Sequence, residues 1–211
     1  CALCEKNTRW KASSCRLPRM VRSLAPETLD DCGCAVKVGR PIAIIGFMGV
    51  GKSAVGRRLA SRLGYEFVDT DATVEADAGK AIARIFEEDG EEEFRRRERA
   101  ALEKALGSPG RVVSTGGGLP GCAENRGLLR ERAAVVLLTA DPSTILRRVQ
   151  PLDSRPLLVG FADPLKRIAD LLAERADFYA DYDLAIDTTQ GRPGLTAQRI
   201  ARWYCRREED A

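Results

Sequence analysis

From Pro41 onward, short apolar runs alternate with stretches of helical periodicity. PIAII (41–45), YEFVD (65–69), RVVST (111–115), AVVLLT (134–139) and DLAID (183–187) read as buried strands. Helical patterns fall between them at 52–63, 81–88, 91–106, 123–132, 141–149 and 164–180, and a last one at 195–207 closes the chain. Strand and helix in alternation predict an α/β fold, a parallel sheet with helices on both faces in three layers. Ligands of such sheets bind at the carboxyl ends of the strands, so chemistry is sought in the turns that follow them.

One helical stretch carries more than a surface pattern. GEEEFRRRERAALE (90–103) has Glu91 with Arg95, Glu92 with Arg96 and Glu93 with Arg97, all i,i+4 pairs with the acid first, as in an exposed helix. The register also puts Phe94, Glu98, Ala101, Leu102 and Ala105 on one stripe. Glu98 therefore falls on the buried side, where a carboxylate without a partner is costly. Arg95, three residues earlier, can supply that partner, and Glu98 can in turn aim the guanidinium at a ligand carboxylate. Arg96, Arg97 and Arg99 read as solvated.

Composition limits the alternatives. A chain of 211 residues, 44% hydrophobic and 31% charged, supports one well-buried domain. No apolar run is long enough to span a bilayer, so no membrane role is expected. The net charge of +3 is concentrated in residues 1 to 22, which gives the main domain little support for binding nucleic acid. Five of the seven cysteines precede residue 35, leaving Cys122 and Cys205 in the body, a usage that suits a reducing cytoplasm. With no histidine in the chain, the CALC and CGC spacings are a weak zinc signal. Residues 1 to 39 read as an extension, disordered or foreign to the mature protein, with Met20 as a candidate start. Residues 40 to 211 form the domain.

Three turns carry candidate chemistry. GFMGVGKS (46–53) fits G-x-x-x-x-G-K-[ST] between a predicted strand and a predicted helix. Its backbone from Gly49 through Val50, Gly51, Lys52, Ser53 and Ala54 can present N–H groups to phosphates. Lys52 supplies charge to the terminal phosphates and Ser53 an oxygen for magnesium. VDTDAT follows the second strand. If it stays extended, Asp69 and Asp71 project from one face, one acid for magnesium and one for a substrate hydroxyl. The alternative there is a helix cap at Asp71. STGGG follows the third strand, and Gly116, Gly117 and Gly118 leave room for a ligand and expose donors to it.

The ordered set GFMGVGKS, DTD, GEEEFRRRE, GGG, RPLL and ERADFY resembles the shikimate kinase family from about Pro41 to the end. The resemblance implies a P-loop NTPase fold like that of nucleoside-monophosphate kinases, with a five-stranded parallel sheet, substrate-binding helices after the second strand and a mobile lid. It implies transfer of the ATP γ-phosphoryl group to the 3-hydroxyl of shikimate, with Mg2+, by a monomeric cytoplasmic enzyme. Carried over, Asp71 contacts the reacting hydroxyl, Asp69 supports the metal, and Arg95, Gly116, Gly117, Gly118 and Arg175 bind shikimate. Arg148 stacks on adenine. The segment 150–163, rich in proline and glycine, is the lid, and its Arg155 adds positive charge at the phosphates. Where the family shows another basic residue near the adenine, this chain has Gly191, with Arg192 beside it.

Two rivals remain at this stage. A kinase for another small polyol acid such as gluconate would also use Arg95 and Arg175. A nucleotide-binding module without catalysis would be expected to lack one of Lys52, Asp71, Arg95 and Arg155, and all four are present.

Overall fold

The computed structural model describes residues 38–152 and 157–209. The expectations for residues 1 to 37, their cysteines and Met20 included, and for Arg155 lie outside that range.

Five parallel strands form one sheet: β1 (Ile42–Ile45), β2 (Glu66–Asp69), β3 (Arg111–Ser114), β4 (Ala134–Thr139) and β5 (Leu184–Asp187), in the order β2-β3-β1-β4-β5. Eight helices among the described residues connect and cover it. They are α1 (Lys52–Leu63), α2 (Thr70–Ala78), α3 (Ile82–Glu88), α4 (Gly90–Leu106), α5 (Ala123–Arg132), α6 (Pro142–Val149), α7 (Pro164–Glu174) and α8 (Pro193–Glu209). No helix among the described residues is long and apolar enough to cross a membrane.

Alternation along the central strands feeds two cores. Ile42 and Ile44 of β1, with Val136 and Leu138 of β4, pack beneath α1, α6, α7 and α8. Ala43 and Ile45, with Val135 and Leu137, pack on the other face with Leu102 and Leu106 of α4 and Leu129 of α5. A smaller cluster of Val74, Ile85, Phe94 and Ala101 joins α2, α3 and α4.

The strands at the sheet edges differ from expectation. β2 has no fully buried residue and β5 has one, because each has a neighbour strand on one side only. Two helices also differ. α2 begins directly at the end of β2, where an extended chain was expected. The last predicted helix before β5 stops at Glu174, and Ala176–Tyr179 forms a separate 3-10 turn.

Candidate active site

β1 is the central strand, with β3 on one side and β4 on the other, so the chain leaves it toward opposite halves of the sheet. The crevice at its carboxyl end is where such sheets take ligands. The turns after β1, β2 and β3 meet there.

In the first turn Gly46, Gly49 and Gly51 have φ of 137°, 74° and 97°, a region other residues rarely adopt. At Gly46 there is no room either, since a Cβ would lie 2.3 Å from the Leu138 carbonyl oxygen. Gly51 is the N-cap of α1 and brings no side chain to cap that helix. Its donors and the positive end of its dipole suit an anion. Lys52 Nζ donates to the carbonyls of Gly46 at 2.8 Å and Phe47 at 2.9 Å, which holds the ammonium against the loop. The Ser53 hydroxyl turns toward β2, donating to Asp69 Oδ2 at 2.8 Å and lying 3.3 Å from the Ser114 hydroxyl.

The second turn corrects the expectation of two acids on one extended face. Asp69 is the N-cap of α2 and accepts the Asp71 N–H at 3.2 Å. Capping by the short acid starts the helix one residue later and turns the chain. The cap is thus Asp69 and not Asp71, and the two carboxylates part company. Asp69 faces Ser53 and the phosphate loop. Asp71 faces the third turn, where a Cβ on Gly116 would stand 2.5 Å from Asp71 Oδ1 and 3.0 Å from Glu98 Oε1.

In the third turn the glycines have separate jobs. The Gly116 N–H donates to the buried Thr70 hydroxyl at 3.0 Å and its carbonyl accepts from Leu119 N at 3.2 Å. The carbonyl of Gly117 accepts from the Tyr179 hydroxyl at 2.5 Å, and that of Gly118 from Gly121 N at 2.9 Å. Gly116 therefore has no N–H for a ligand, whereas the N–H groups of Gly117 and Gly118 meet no protein acceptor among the described residues.

Arg95 sits as the helical register predicts, beside Glu98. Glu98 is 2% exposed, and Arg95 Nη1 donates to its Oε2 at 2.8 Å. Burial pushes the Glu98 carboxyl up from its ordinary value. Arg95 recovers only part of that, and the nearby Asp71 charge adds to the rise. Burial works against the Arg95 charge too, but the bonds to Glu98 and Glu91 outweigh it and hold the guanidinium firmly protonated. Gly118 leaves space beside Arg95, since a Cβ there would be 3.4 Å from Nη1. Arg175 lies 5.6 Å from the centre of the Phe47 ring. Phe86 and Phe94 pack 4.5 Å apart, with Arg95 5.3 Å from the Phe94 ring centre. On the outer face Arg96 pairs with Glu93 at 2.6 Å, an i,i+3 contact in place of the i,i+4 one expected with Glu92. Arg97 also pairs with Glu93 and is half-buried.

Beyond α1, Val50, Gly51, Ala54, Arg148, Thr188, Gly191, Pro193 and Thr196 line a cleft of about 210 Å³. Arg148 Nη2 donates to the Thr188 carbonyl at 2.6 Å, so its side chain is tied to the loop after β5. Gly191, the departure noted above, is part of that wall, and Arg192 is not. Thr70, Ser114, Tyr179 and Thr188 were missed by sequence reasoning. Each stands inside or beside a motif, but its partner is more than 39 residues away in the chain.

The family model described as shikimate kinase matches residues 48–205. A shikimate kinase of Caldanaerobacter subterraneus subsp. tengcongensis is 42% identical over 163 residues, 77% of this chain and 95% of the relative. One from Symbiobacterium thermophilum is 50% identical over 141 residues, 66% of this chain and 80% of the relative. Among solved structures, shikimate kinase from Acinetobacter baumannii in complex with shikimate superposes with a TM-score of 0.74 at 37% identity, covering 79% of this chain and 93% of that one. The matched segment holds the two acids, the three glycines, Arg95 and Arg175, and on this agreement of sequence, fold and site the chain belongs to the shikimate kinase family.

Proposed function

We propose that this chain phosphorylates the 3-hydroxyl of shikimate at the expense of ATP, releasing shikimate 3-phosphate and ADP. One observation carries the reading: the two acids diverge, Asp69 toward Ser53 of the phosphate loop and Asp71 toward Gly116 and Glu98, the carboxylate that Arg95 pairs with. A phosphoryl-transfer site needs this separation, with one carboxylate on the donor side and one on the acceptor side. The relative from Acinetobacter baumannii, described as a complex with shikimate, supports the choice of acceptor.

On the donor side, the loop from Gly49 to Ala54 and Lys52 hold the triphosphate, and the cleft beside Arg148 receives the adenine. Magnesium fits Ser53 and Asp69. They offer a hydroxyl and a carboxylate, oxygen ligands that leave the remaining positions to phosphate and water, and no all-protein cage of three acidic, cysteine or histidine groups exists among the described residues. When bound, Mg2+ neutralises charge on the phosphate oxygens. On the acceptor side, Arg95 and Arg175 hold the shikimate carboxylate and the N–H groups of Gly117 and Gly118 face the ring. Asp71 accepts the proton of the 3-hydroxyl as its oxygen attacks the γ-phosphorus in line and the β,γ-bridging oxygen departs with ADP. Arg155 is assigned to the transferring phosphoryl group on sequence alone.

A coupled ADP-release assay with shikimate, with gluconate and with no acceptor tests this reading. Rapid ADP release with shikimate alone is expected. Turnover with gluconate in place of shikimate would overturn it.

A further inference from the structure

Arg175 and Tyr179 both come from the segment that ends α7, but only the arginine was expected in the site. Tyr179 is 8% exposed, and its ring packs among Leu119, Val135 and Leu137. Packing therefore places the ring without help from the hydroxyl. The hydroxyl reaches across to the glycine turn and donates to the Gly117 carbonyl at 2.5 Å. Burial pushes the hydroxyl's pKa up, and the Arg175 charge opposes that push.

The bond matters because of what it holds. Three glycines in succession impose little restriction on their own peptide planes. Gly116 is tied at both its N–H and its carbonyl, and Gly118 at its carbonyl. The peptide between Gly117 and Gly118 has no other bond to the protein among the described residues. A trans peptide directs its C=O and N–H in opposite senses. With the carbonyl fastened to Tyr179, the Gly118 N–H is turned away from it, on a residue whose Cβ direction meets Arg95 at 3.4 Å.

We propose that Tyr179 is a positioning residue for the acceptor: its hydroxyl locks the Gly117–Gly118 peptide so that the Gly118 N–H is offered to the molecule anchored by Arg95 and Arg175. The ligand class is a compact anionic polyol, and the role rests on the shikimate reading above.

Tyr179→Phe tests it, because the ring keeps its packing while the hydroxyl is lost. Shikimate KM and Kd are expected to rise about tenfold, with kcat and the Kd for ATP within about twofold of the parent, the pattern of lost uniform binding. Unchanged shikimate affinity would overturn the proposal, and so would an equal loss for ATP and shikimate, which would mark the hydroxyl as a general structural tie. Failure of the parent protein itself to bind shikimate is a separate result that sinks the reading of the site, and this role with it.

Discussion

Glu98 is a carboxylate with 2% of its surface exposed, in a helix that could have carried leucine there. Its folded pKa lies above the unfolded value, so the native state holds the proton more tightly. Stability from this group is therefore greatest at and below the ordinary carboxylate value, and is lost as pH rises from there through the raised folded value. Glu98→Gln should remove that dependence. Urea midpoints of parent and variant, compared across pH, should diverge in the variant's favour as pH rises. The variant is not expected to strand Arg95, which keeps Glu91 at 3.1 Å and is 40% exposed. Shikimate KM should nonetheless rise about tenfold, because a neutral amide aims the guanidinium less firmly. A large loss of stability with unchanged KM would show that Glu98 serves the fold alone. The Glu98–Arg95 pair was legible from the sequence since both partners lie on one helix three residues apart. Asp69 as a cap, Thr70 under Gly116 and Tyr179 on Gly117 were not, because each depends on how the chain turns between elements or on contacts 46 and 62 residues apart.

Elements with a full apolar face announced themselves. α1 and β4 occupy the very residues their patterns marked out, and each buries a regular set of side chains; α5 does so too with only Asn125 and Leu129 buried. α2 was hidden, as it buries only Thr70 and Val74 and follows β2 without an intervening loop. α7 was read too far because Ile168 and Leu171 continue in register toward Phe178 and Tyr179, while the backbone tightens after Arg175. Gly127 is a weak point of a different kind. It lies inside α5, its φ is not in the left-handed region, and an added Cβ would meet nothing within 4 Å. Gly127→Ala should thus stabilise the protein by about 0.5–1 kcal/mol, from helix propensity and a less flexible unfolded chain. Thermal unfolding checks this, with kcat and both KM values unchanged; destabilisation would mean that α5 needs the freedom of glycine there.

At the scale of the whole molecule, parallel topology gathers function at one end and closure at the other. The turns after β1, β2 and β3 converge on the carboxyl side, so residues as distant in sequence as Ser53, Asp69 and Ser114 touch. At the amino end, the Tyr204 hydroxyl donates to the Arg40 carbonyl at 2.6 Å and the Gly39 N–H donates to the Tyr65 hydroxyl at 2.9 Å. The two tyrosine rings meet edge to face beside them. The alternating pattern was enough to call for a parallel sheet, and the motifs with the family resemblance were enough to divide the roles of the two acids, but only the folded chain shows Asp69 turned to Ser53 and Asp71 to Gly116. That division of labour is the central claim. Asp71→Asn tests it most directly, with steady-state turnover and ATP affinity measured on the same preparation. The expected result is a fall in kcat of about 10²–10⁴-fold with the Kd for Mg2+-ATP unchanged within about twofold. A variant that keeps most of the parental rate, or one that loses ATP binding in step with turnover, would contradict the assignment of Asp71 to the acceptor.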